Sequence, residues 1–300
     1  MRVATWNVNS VKQRIPRLLP WLDERTPDVV CLQETKLSDE VFDTVLGPEF
    51  TERGYEFAHV GQGQWNGVAI LSRVGLDDVR RGVDGVPGYP DPSSAPEARA
   101  VSAVCGARAG LPPVRIHSLY VPNGREPDSD HYHYKLAWLA RLREVVAPEA
   151  ASTMLCGDLN IAPADADLYD PRAFVGHTHV TAPERAALAG LEDLGLTDVV
   201  RSRWPDERVY SYWDYRAGMF HKDLGMRIDL ILAGAQTSGR VAAAWVDRAA
   251  RKGTKPSDHA PVIVDLDVAP DGDIGPMVPP PSNPARRGAA KVPLPQAKDR

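Results

Sequence analysis

Cysteine is scarce in this 300-residue chain, which contains only Cys31, Cys105 and Cys156. No two of them form a CxxC pair, so neither a structural zinc site nor a redox-active dithiol is indicated. Each lies among apolar residues, as in VVCLQ and MLCGD, which is typical of small core side chains in a reducing compartment. We therefore expect three buried, free thiols.

An excess of positive charge is also missing. The 40 acidic side chains outnumber the 35 basic ones, and the formal net charge is −5. A protein that binds nucleic acid through phosphate contacts would have to concentrate its positive charge on one surface, because this attraction is local and screened by salt. The overall charge by itself therefore disfavours a polyanionic partner.

Long apolar runs are absent as well. No segment has the length of a membrane span, and Arg2 is followed directly by a strand-like run rather than by the features of a signal peptide. The sequence therefore predicts a cytoplasmic protein without a membrane partner. A hydrophobic fraction of 43% over this length allows a large core without disulfides.

What the chain has in abundance is short apolar runs rich in β-branched residues, which are typical of strands. Helical periodicity appears over residues 11–22 and 136–146, and Thr181 with Glu184 has capping-box spacing at the start of a third helix. Strands outnumber helices, so we expect an α/β fold of two packed sheets with helices outside, and a long surface loop over residues 74–97. The predicted strands are residues 3–6, 29–32, 57–60, 68–71, 101–105, 114–121, 154–156, 209–213, 228–232, 241–246 and 262–266.

Polar residues follow or precede several of these strands. Asn7 ends the first run, Glu34 follows the second, Asp158 follows MLCG, and Asp258-His259 directly precede the last. Strand ends at one edge of two packed sheets can converge on one cleft, so distant positions can form a single site. Taken singly, each residue also has an ordinary interpretation as a turn or cap residue.

The acidic residues of this set are hard oxygen groups without a cysteine or a histidine cluster beside them: Glu34, Asp158, Asp229 and Asp258. Such ligands suit Mg²⁺, for which Mn²⁺ can substitute, rather than Zn²⁺. Because Mg²⁺ keeps water or phosphate oxygens in part of its coordination shell, the set favours a phosphoryl substrate. We expect His259 to interact with a phosphoryl oxygen, with Asp229 orienting its ring.

Seven short motifs follow one another between residues 1 and 267. Together they resemble the motif series of exonuclease III, in particular its bacterial forms, and of the related apurinic/apyrimidinic endonucleases. The resemblance implies a DNase I-like, four-layered α/β sandwich of two mixed sheets flanked by helices. The motifs are Trp6-Asn7-Val8-Asn9-Ser10, Leu32-Gln33-Glu34-Thr35-Lys36, Leu119-Tyr120-Val121-Pro122-Asn123-Gly124, Gly157-Asp158-Leu159-Asn160-Ile161-Ala162-Pro163, Tyr212-Trp213-Asp214-Tyr215, Arg227-Ile228-Asp229 and Ser257-Asp258-His259-Ala260-Pro261.

The resemblance implies a metal site and a catalytic base. Glu34 is similar to the principal metal ligand, with Asn7 beside it and Asp258 as a further ligand or a group just outside the ligands. Asp158 resembles the residue that activates the attacking water, and Asn160 the residue that helps to position it. The predicted metal environment is Asn7, Glu34, Asp158, Asn160, Asp258 and His259.

Phosphate and DNA contacts are implied in the same way. Tyr120 resembles a phosphate-contacting tyrosine, and Asp229 with His259 resembles a pair that reaches a phosphate oxygen. The predicted catalytic residues are Tyr120, Asp158, Asn160, Asp229 and His259. The predicted DNA-binding residues are Arg99 at a phosphate, Asn123 where relatives insert a side chain into the duplex, and Tyr212, Trp213 and Met226 at a pocket for an abasic sugar.

Two positions depart from the family pattern. Asn9 stands where some relatives have an aspartate at the metal site, and Met226 stands where those relatives place a tryptophan beside the abasic-sugar pocket. The first departure bears on the number and affinity of bound metal ions. The second leaves Tyr212 and Trp213 as the aromatic walls of the predicted pocket.

The implied function is Mg²⁺-dependent DNA repair. We expect cleavage 5′ to abasic sites in duplex DNA, with 3′→5′ exonuclease and 3′-end-cleaning activity, by a monomer without an obligate protein partner. Two alternatives stay open. One is another phosphodiesterase or phosphatase with the same Asn/Glu/Asp/His core, such as a DNase I-like nuclease or a lipid or inositol-phosphate phosphatase. The other is a noncatalytic DNA-binding protein, which would be expected to lose one or more catalytic residues.

The composition changes after Asp267. Residues 268–300 are rich in proline, including Pro279-Pro280-Pro281, and end in a polar stretch with several basic residues. This composition predicts a disordered tail, so we assign residues 1–267 to the catalytic domain and residues 268–300 to the tail. The tail has two open interpretations, an inert solvated segment and a weak nonspecific DNA tether.

Overall fold

Two six-stranded sheets pack face to face in the computed structural model, which describes residues 1–278. The first sheet consists of β1 (Arg2–Asn7), β2 (Val29–Gln33), β3 (Glu56–Gln62), β4 (Trp65–Ser72), β11 (Val241–Val246) and β12 (Val262–Leu266), in the order β11-β12-β1-β2-β4-β3. The second consists of β5 (Asp77–Arg81), β6 (Ala100–Cys105), β7 (Val114–Tyr120), β8 (Thr153–Asp158), β9 (Thr197–Asp198) and β10 (Asp229–Ala233), in the order β5-β6-β7-β8-β10-β9. Each sheet is mixed, with one parallel pair, β1 with β2 and β7 with β8, between antiparallel neighbours.

Helices cover the outer face of each sheet, which gives four layers. The first sheet is covered by α1 (Val11–Arg25) and α2 (Asp39–Glu52), and the second by α3 (Asp130–Val146) and α4 (Ala182–Glu192). Two short helices, α5 (Val199–Arg203) and α6 (Ala235–Ser238), lie in connections. The predicted four-layered α/β sandwich is therefore confirmed. No helix within residues 1–278 combines the length and apolarity that crossing a membrane requires.

The alternating direction of side chains along a strand explains why apolar residues of the same strand pack on both faces of the sheet. Successive side chains of a strand point to opposite faces, so Val3 of β1 joins the core between the sheets while Ala4 and Trp6 pack under the helices. The three cysteines belong to the inter-sheet core and are buried and free, as predicted.

Three local predictions differ from the structure. Residues 74–97 are not one loop, because they contain β5, which pairs with β6. Residues 209–213 are not a strand, since Tyr212 forms only isolated bridges, to Met226 and His259. Helix α2 was not predicted; Ser38 caps it, but Gly47 and Pro48 interrupt its pattern, and its buried face carries few apolar side chains.

The predicted domain boundary at Asp267 is too early. Residues 276–278 lie beside the end of β11, where the backbone N–H of Val246 donates to Pro276 and that of Val278 donates to Val246, both at 2.9 Å. Met277 is only 1% exposed in the inter-sheet core, so this segment belongs to the domain. Residues 279–300 lie outside the described residues, so disorder and DNA tethering by that part stay predictions.

A buried histidine on β7 makes the fold sensitive to acid. His117 is 6% exposed, and its Nε2 atom has no hydrogen-bond partner among residues 1–278. Burial, together with the charges of Arg115 and Arg80, lowers the pKa of His117 to about 3. Below pH 6.5 the imidazole of His117 therefore binds a proton in the unfolded chain but stays neutral in the folded protein. The free energy of unfolding consequently falls as the pH decreases toward 3.

We expect the variant His117→Gln to unfold with a flatter pH dependence than the wild type between pH 6.5 and 4.5. The wild-type histidine contributes a slope of up to about 1.4 kcal/mol per pH unit in that window, because one proton is excluded from the fold. Urea unfolding at several pH values measures the slope. His133 is exposed on α3, so His133→Gln is the control and should keep the wild-type slope. Equal slopes for His117→Gln and the wild type would contradict the prediction.

Candidate active site

Five strand ends meet at one edge of the two packed sheets. β1 ends at Asn7, β2 ends just before Glu34 and β8 ends at Asp158. Asp229 opens β10 as the register partner of Asp158, and His259 lies three residues before β12, which pairs with β1. The structure therefore brings together residues from both sheets and from nearly the whole length of the domain.

The backbone at this edge is bent sharply. Glu34, Asn160 and Asn9 have φ angles of 52°, 53° and 43°, in the left-handed region that non-glycine residues seldom adopt. The bend after β2 is supported by backbone bonds from Ser10 and Val11 to the carbonyl groups of Glu34 and Thr35. Such unusual conformations persist where the surrounding structure holds them, and they are common at functional sites.

Three potential metal ligands converge in the centre of the cleft. One ligand atom from each of Glu34, Asp158 and His259 lies within 4.8 Å of the others. Asn7 joins the two carboxylates, because its Nδ2 atom donates to Glu34 at 2.8 Å and to Asp158 at 2.9 Å. Two carboxylates with few other protein ligands suit a hard divalent cation. The cluster can therefore hold a metal ion.

Asp258 and Asn160 do not join this cluster. The Asp258 carboxylate accepts a hydrogen bond from Asn9 Nδ2 at 3.0 Å and is not one of the converging ligands. The side-chain oxygen of Asn160 accepts from Asn123 at 3.1 Å, and its Nδ2 donates to the carbonyl of Val121 at 2.9 Å. The position of Asp258 fits the predicted group just outside the ligands, and metal contact by Asn160 stays a prediction.

Lys36 is a member of the site to which the sequence assigned no role. Its Nζ atom lies 2.7 Å from Glu34 Oε2 and 2.7 Å from Asn9 Oδ1. Burial opposes ionisation of Glu34, but the charge of Lys36 and bonds from Lys36 and Asn7 outweigh it and lower the pKa of Glu34. The lysine two residues after the acid in LQETK is the signal that could have revealed this counter-ion.

An aspartate and a histidine form a buried pair beside the cluster. His259 Nδ1 lies 2.8 Å from Asp229 Oδ2, and Ser211 donates to the same oxygen at 2.6 Å. Burial alone would lower the pKa of His259, but the charge and hydrogen bond of Asp229 dominate and raise it to about 10. The imidazole is therefore cationic at neutral pH, and its Nε2 atom faces Asp158 Oδ2 at 3.9 Å. A cationic imidazole has no free lone pair, so the carboxylates of Glu34 and Asp158 are the potential metal ligands of the cluster. Ser211 was not identified from the sequence.

The surroundings of Asp158 disfavour its charged form, whereas those of His259 favour the charged form. Burial raises its pKa to about 7, with Asp229 and Glu34 adding to the effect and His259 opposing it. The backbone N–H of Asn160 donates to Asp158 Oδ1 at 3.0 Å, which orients the carboxylate. A carboxyl group that titrates near neutral pH can both accept and release a proton under ordinary conditions.

Tyr120 and Arg99 flank the cluster. The Arg99 guanidinium lies 4.9 Å from the centre of the Tyr120 ring and is paired with Glu97 at 2.7 Å. Burial and the neighbouring charge of Glu34 raise the pKa of Tyr120 well above its ordinary value, so its hydroxyl keeps its proton and can donate it in a hydrogen bond. Arg99 itself is mostly buried, so its predicted phosphate contact requires the substrate to reach into the cleft.

The predicted pocket residues divide into two groups. Tyr212 and Met226 are half-buried, exchange two backbone hydrogen bonds, and Tyr212 packs 4.8 Å from the His259 ring. Trp213, in contrast, is 0% exposed and packs against Tyr210 and Phe220. Its ring offers no surface to a nucleotide in this conformation, so its place in the predicted pocket is corrected to the core.

This fold and site are those of the endonuclease/exonuclease/phosphatase family, which the chain matches over residues 4–259, and the chain belongs to that family. It is similar to exodeoxyribonuclease III of Haemophilus influenzae, with 29% identity over 87% of this chain and 98% of that protein. Among solved structures, it is similar to the 3′ phosphatase NExo from Neisseria bound to a product DNA hairpin, with 36% identity, a TM-score of 0.81 and coverage of 89% of this chain and 100% of that one. An AP endonuclease from Archaeoglobus fulgidus has 35% identity, a TM-score of 0.80 and the same coverage. The resemblance predicted from the motifs is confirmed.

Proposed function

We propose that this protein is a metal-dependent DNA-repair phosphodiesterase that nicks duplex DNA 5′ to abasic sites and also processes 3′ ends. The observation that carries the proposal is the convergence of Glu34, Asp158 and His259 at one strand edge, with Asp229 bonded to the histidine. An acid-rich cluster beside a cationic imidazole suits in-line attack of water on a phosphodiester.

Three residues of the site have different roles in the proposed reaction. Asp158, whose pKa is raised by burial, accepts the proton of the attacking water. His259, held by Asp229 and positively charged, donates from Nε2 to a phosphoryl oxygen on which negative charge develops. Tyr120 offers a neutral hydroxyl donor on the other side of the cluster.

Mg²⁺ is the metal ion we propose, with Mn²⁺ as a substitute. Glu34 and Asp158 would hold it, with His259 and Asn7 beside them, and the donor set of carboxylate oxygens fits a hard cation. When bound, the ion supplies positive charge that polarises the phosphoryl group. The ammonium of Lys36 on the outer oxygen of Glu34 limits the negative charge that is left over at the site.

A local concentration of positive charge next to the site supports a DNA substrate despite the net charge of −5. Lys12 and Arg17 on α1, and Lys252 and Lys255 shortly before Ser257, form no ion pair with a carboxylate of residues 1–278. Arg17 instead donates to backbone carbonyl groups of residues 250–254, which joins these two segments. An unneutralised basic surface is what phosphate contacts require.

The relatives support this substrate class. One of the similar structures is named as an AP endonuclease and another as a 3′ phosphatase bound to DNA, at nearly equal identity to this chain. We therefore propose both abasic incision and 3′-end processing, by a monomer, because one chain supplies every group of the site. Free buried thiols and the bacterial relatives support a cytoplasmic location.

The two alternatives receive less support. A noncatalytic DNA-binding protein would be expected to have lost part of the site, whereas Glu34, Asp158, Asp229 and His259 are all present and in contact. A lipid or inositol-phosphate phosphatase would share the catalytic cluster. The basic surface at α1 and the similarity to DNA-processing relatives favour DNA over those substrates.

The decisive experiment is incubation of the protein with duplex DNA that carries one abasic site, in Mg²⁺ and in a chelator. We expect a nick 5′ to the site in Mg²⁺ and none with the chelator, because the cluster is built for a divalent cation. Duplexes with a 3′ phosphate and with a recessed 3′ end test the end-processing activities in parallel. Absence of metal-dependent nicking at the abasic site would remove the endonuclease proposal.

A matched pair of variants excludes a contaminating nuclease. Glu34→Gln keeps the shape of the side chain but removes its charge from the cluster, so nicking should be lost. Glu40 is exposed outside the cluster at the start of α2, and Glu40→Gln should keep the wild-type rate. Equal activity of both variants would show that the nicking does not come from this site.

A further inference from the structure

A fully buried ion pair lies behind the loop that carries Asn160. Lys135 on α3 and Glu184 on α4 have side chains that are 0% exposed, with Nζ and Oε1 2.5 Å apart. Buried ion pairs are weak contributors to stability, because desolvation of the charges offsets most of their attraction. Stabilisation of the fold is therefore a poor explanation for the pair, and its hydrogen bonds to neighbouring groups are the better guide to its role.

The lysine holds the backbone of Asn160. Lys135 Nζ donates to the Asn160 carbonyl oxygen at 2.7 Å, and His179 Nδ1 lies 2.6 Å from the same oxygen. Asn160 is one of the left-handed residues of the site, so its peptide group is fixed by these contacts rather than by regular secondary structure. The N–H of Asn160 donates to Asp158 at 3.0 Å, so the chain of contacts runs from Lys135 through Asn160 to the proposed base.

The glutamate fixes the other side of the same loop. Glu184 Oε1 accepts from the Thr178 hydroxyl at 2.7 Å and from the backbone N–H of His179 at 2.9 Å. The Thr178 hydroxyl also lies 3.0 Å from the carbonyl of Asn123, whose side chain donates to Asn160 Oδ1. Lys135 thus holds the backbone of Asn160, while Glu184 fixes Thr178 and His179 beside Asn123, whose side chain bonds to Asn160.

We propose that Lys135 and Glu184 are positioning residues that set the orientation of Asp158 and Asn160 in the active site. The inference rests on the proposed function, since it concerns the rate of that reaction. Neither residue belongs to the metal cluster, and both act through Asn160 and Asn123. Loss of the pair should therefore lower the rate of the chemical step more than the affinity for DNA, because Asn123 is the single predicted DNA contact that the pair reaches.

The test compares Glu184→Gln with a matched buried ion pair elsewhere in the fold. Arg2 and Asp265 pair at 2.7 Å with side chains 7% and 1% exposed, at the opposite end of β1 from Asn7. We expect Glu184→Gln to lower kcat for abasic-site nicking by about 10- to 100-fold with KM little changed, because a small misplacement of a catalytic group is enough for such a loss. Asp265→Asn should show a comparable loss of thermal stability but a wild-type kcat.

Two results would overturn the inference. One is a kcat of Glu184→Gln within about threefold of the wild type, and the other is an equal loss in Asp265→Asn, because either would make the role purely structural. If the wild type itself does not nick abasic DNA, the proposed function fails instead, and the two failures are thereby distinguished.

A milder variant covers the case in which Glu184→Gln does not fold. Thr178→Val removes the hydroxyl between Glu184 and Asn123 and leaves the ion pair in place. We expect kcat to fall by about three- to tenfold with a melting temperature near that of the wild type. In the background of Asn160→Ala, Thr178→Val should have no further effect, because it acts through that residue. An unchanged kcat in Thr178→Val, or an additive loss in the double variant, would contradict the inference.

Discussion

Asp158→Asn should lower the rate of nicking at an abasic site by about 10³-fold while leaving the affinity for the same DNA within about threefold. The asparagine keeps the size of the side chain and can still accept the bond from the Asn160 N–H, which holds the residue at 3.0 Å. It cannot take a proton from water at any ordinary pH. Single-turnover rates measure the loss, and fluorescence anisotropy with a labelled abasic duplex measures binding.

Asp165→Asn is the control for this prediction. Asp165 pairs with Arg185 at 2.9 Å and has a side chain that is 68% exposed, outside the metal cluster. Its variant should keep the wild-type rate. A wild-type rate in Asp158→Asn would rule out the role of Asp158 as base, whereas a loss of affinity equal to the loss of rate would make it a binding residue.

His259→Gln and Asp229→Asn should each lower the nicking rate by about 10²- to 10³-fold, and the double variant should be no slower than His259→Gln alone. The reason is that the two residues act as one unit, in which the Asp229 carboxylate keeps the His259 imidazole charged and oriented. The pKa of His259 is raised to about 10 by the charge and hydrogen bond of Asp229 against the effect of burial, so removal of either partner removes the positive charge or its orientation. If the fold losses in nicking rate of the two single variants multiply in the double variant, Asp229 and His259 have independent roles, which would contradict the prediction.

The variant Ser211→Ala tests how much of the effect of Asp229 comes from its charge and how much from its hydrogen bond with Ser211. Ser211 donates to Asp229 Oδ2 at 2.6 Å, and its loss leaves both members of the pair in place. We expect a loss of no more than about tenfold, because one hydrogen bond from a hydroxyl to a carboxylate contributes less than the buried charge itself. A loss as large as that of Asp229→Asn would mean that local packing, rather than the charge, governs the rate.

Much of the site was predictable because its residues stand at strand ends. Asn7, Glu34 and Asp158 each follow an apolar run long enough to be recognised as a strand, and the packing of two sheets explains why such ends meet. The pairing of Asp229 with His259 was expected from the need of the histidine for an orienting partner and from the resemblance to the exonuclease III motifs, and the two side chains are in contact. These are cases in which local pattern and tertiary structure agree.

Trp213 shows where local pattern fails. The run VYSYW over residues 209–213 has the composition of a strand, yet its backbone bonds to Met226 and Asp258 in a turn-like segment at the edge of the cleft. Strand propensity reflects a fit to a pleated, half-buried surface and is easily overridden by context. The tryptophan ring fills the core behind the site, where only tertiary packing could place it.

The contacts of Lys135, Glu184 and Lys36 could not be predicted from the sequence for a different reason. Lys135 and Glu184 are 49 residues apart on separate helices; the lysine has the appearance of an ordinary surface charge, and the glutamate was recognised only as a helix-capping residue. Lys36 lies inside a motif that was recognised, but its bonds to Glu34 and Asn9 depend on the left-handed bend after β2. Contacts set by the meeting of distant elements leave no periodic signal in the chain.

The position of β1 between β2 and β12 affects when the protein becomes active during its synthesis. Among the strands of residues 1–278, β1 is synthesised first and its neighbour β12 last, and the bond from the Ser257 hydroxyl to the Asn7 carbonyl oxygen at 2.7 Å can form only after residue 257 has been made. A chain that stalls before residue 259 lacks the imidazole of the pair and the strand that holds β1 in register. Under the proposed function, unfinished chains therefore cannot cut DNA, and the ability to hydrolyse it arises only with the completed domain.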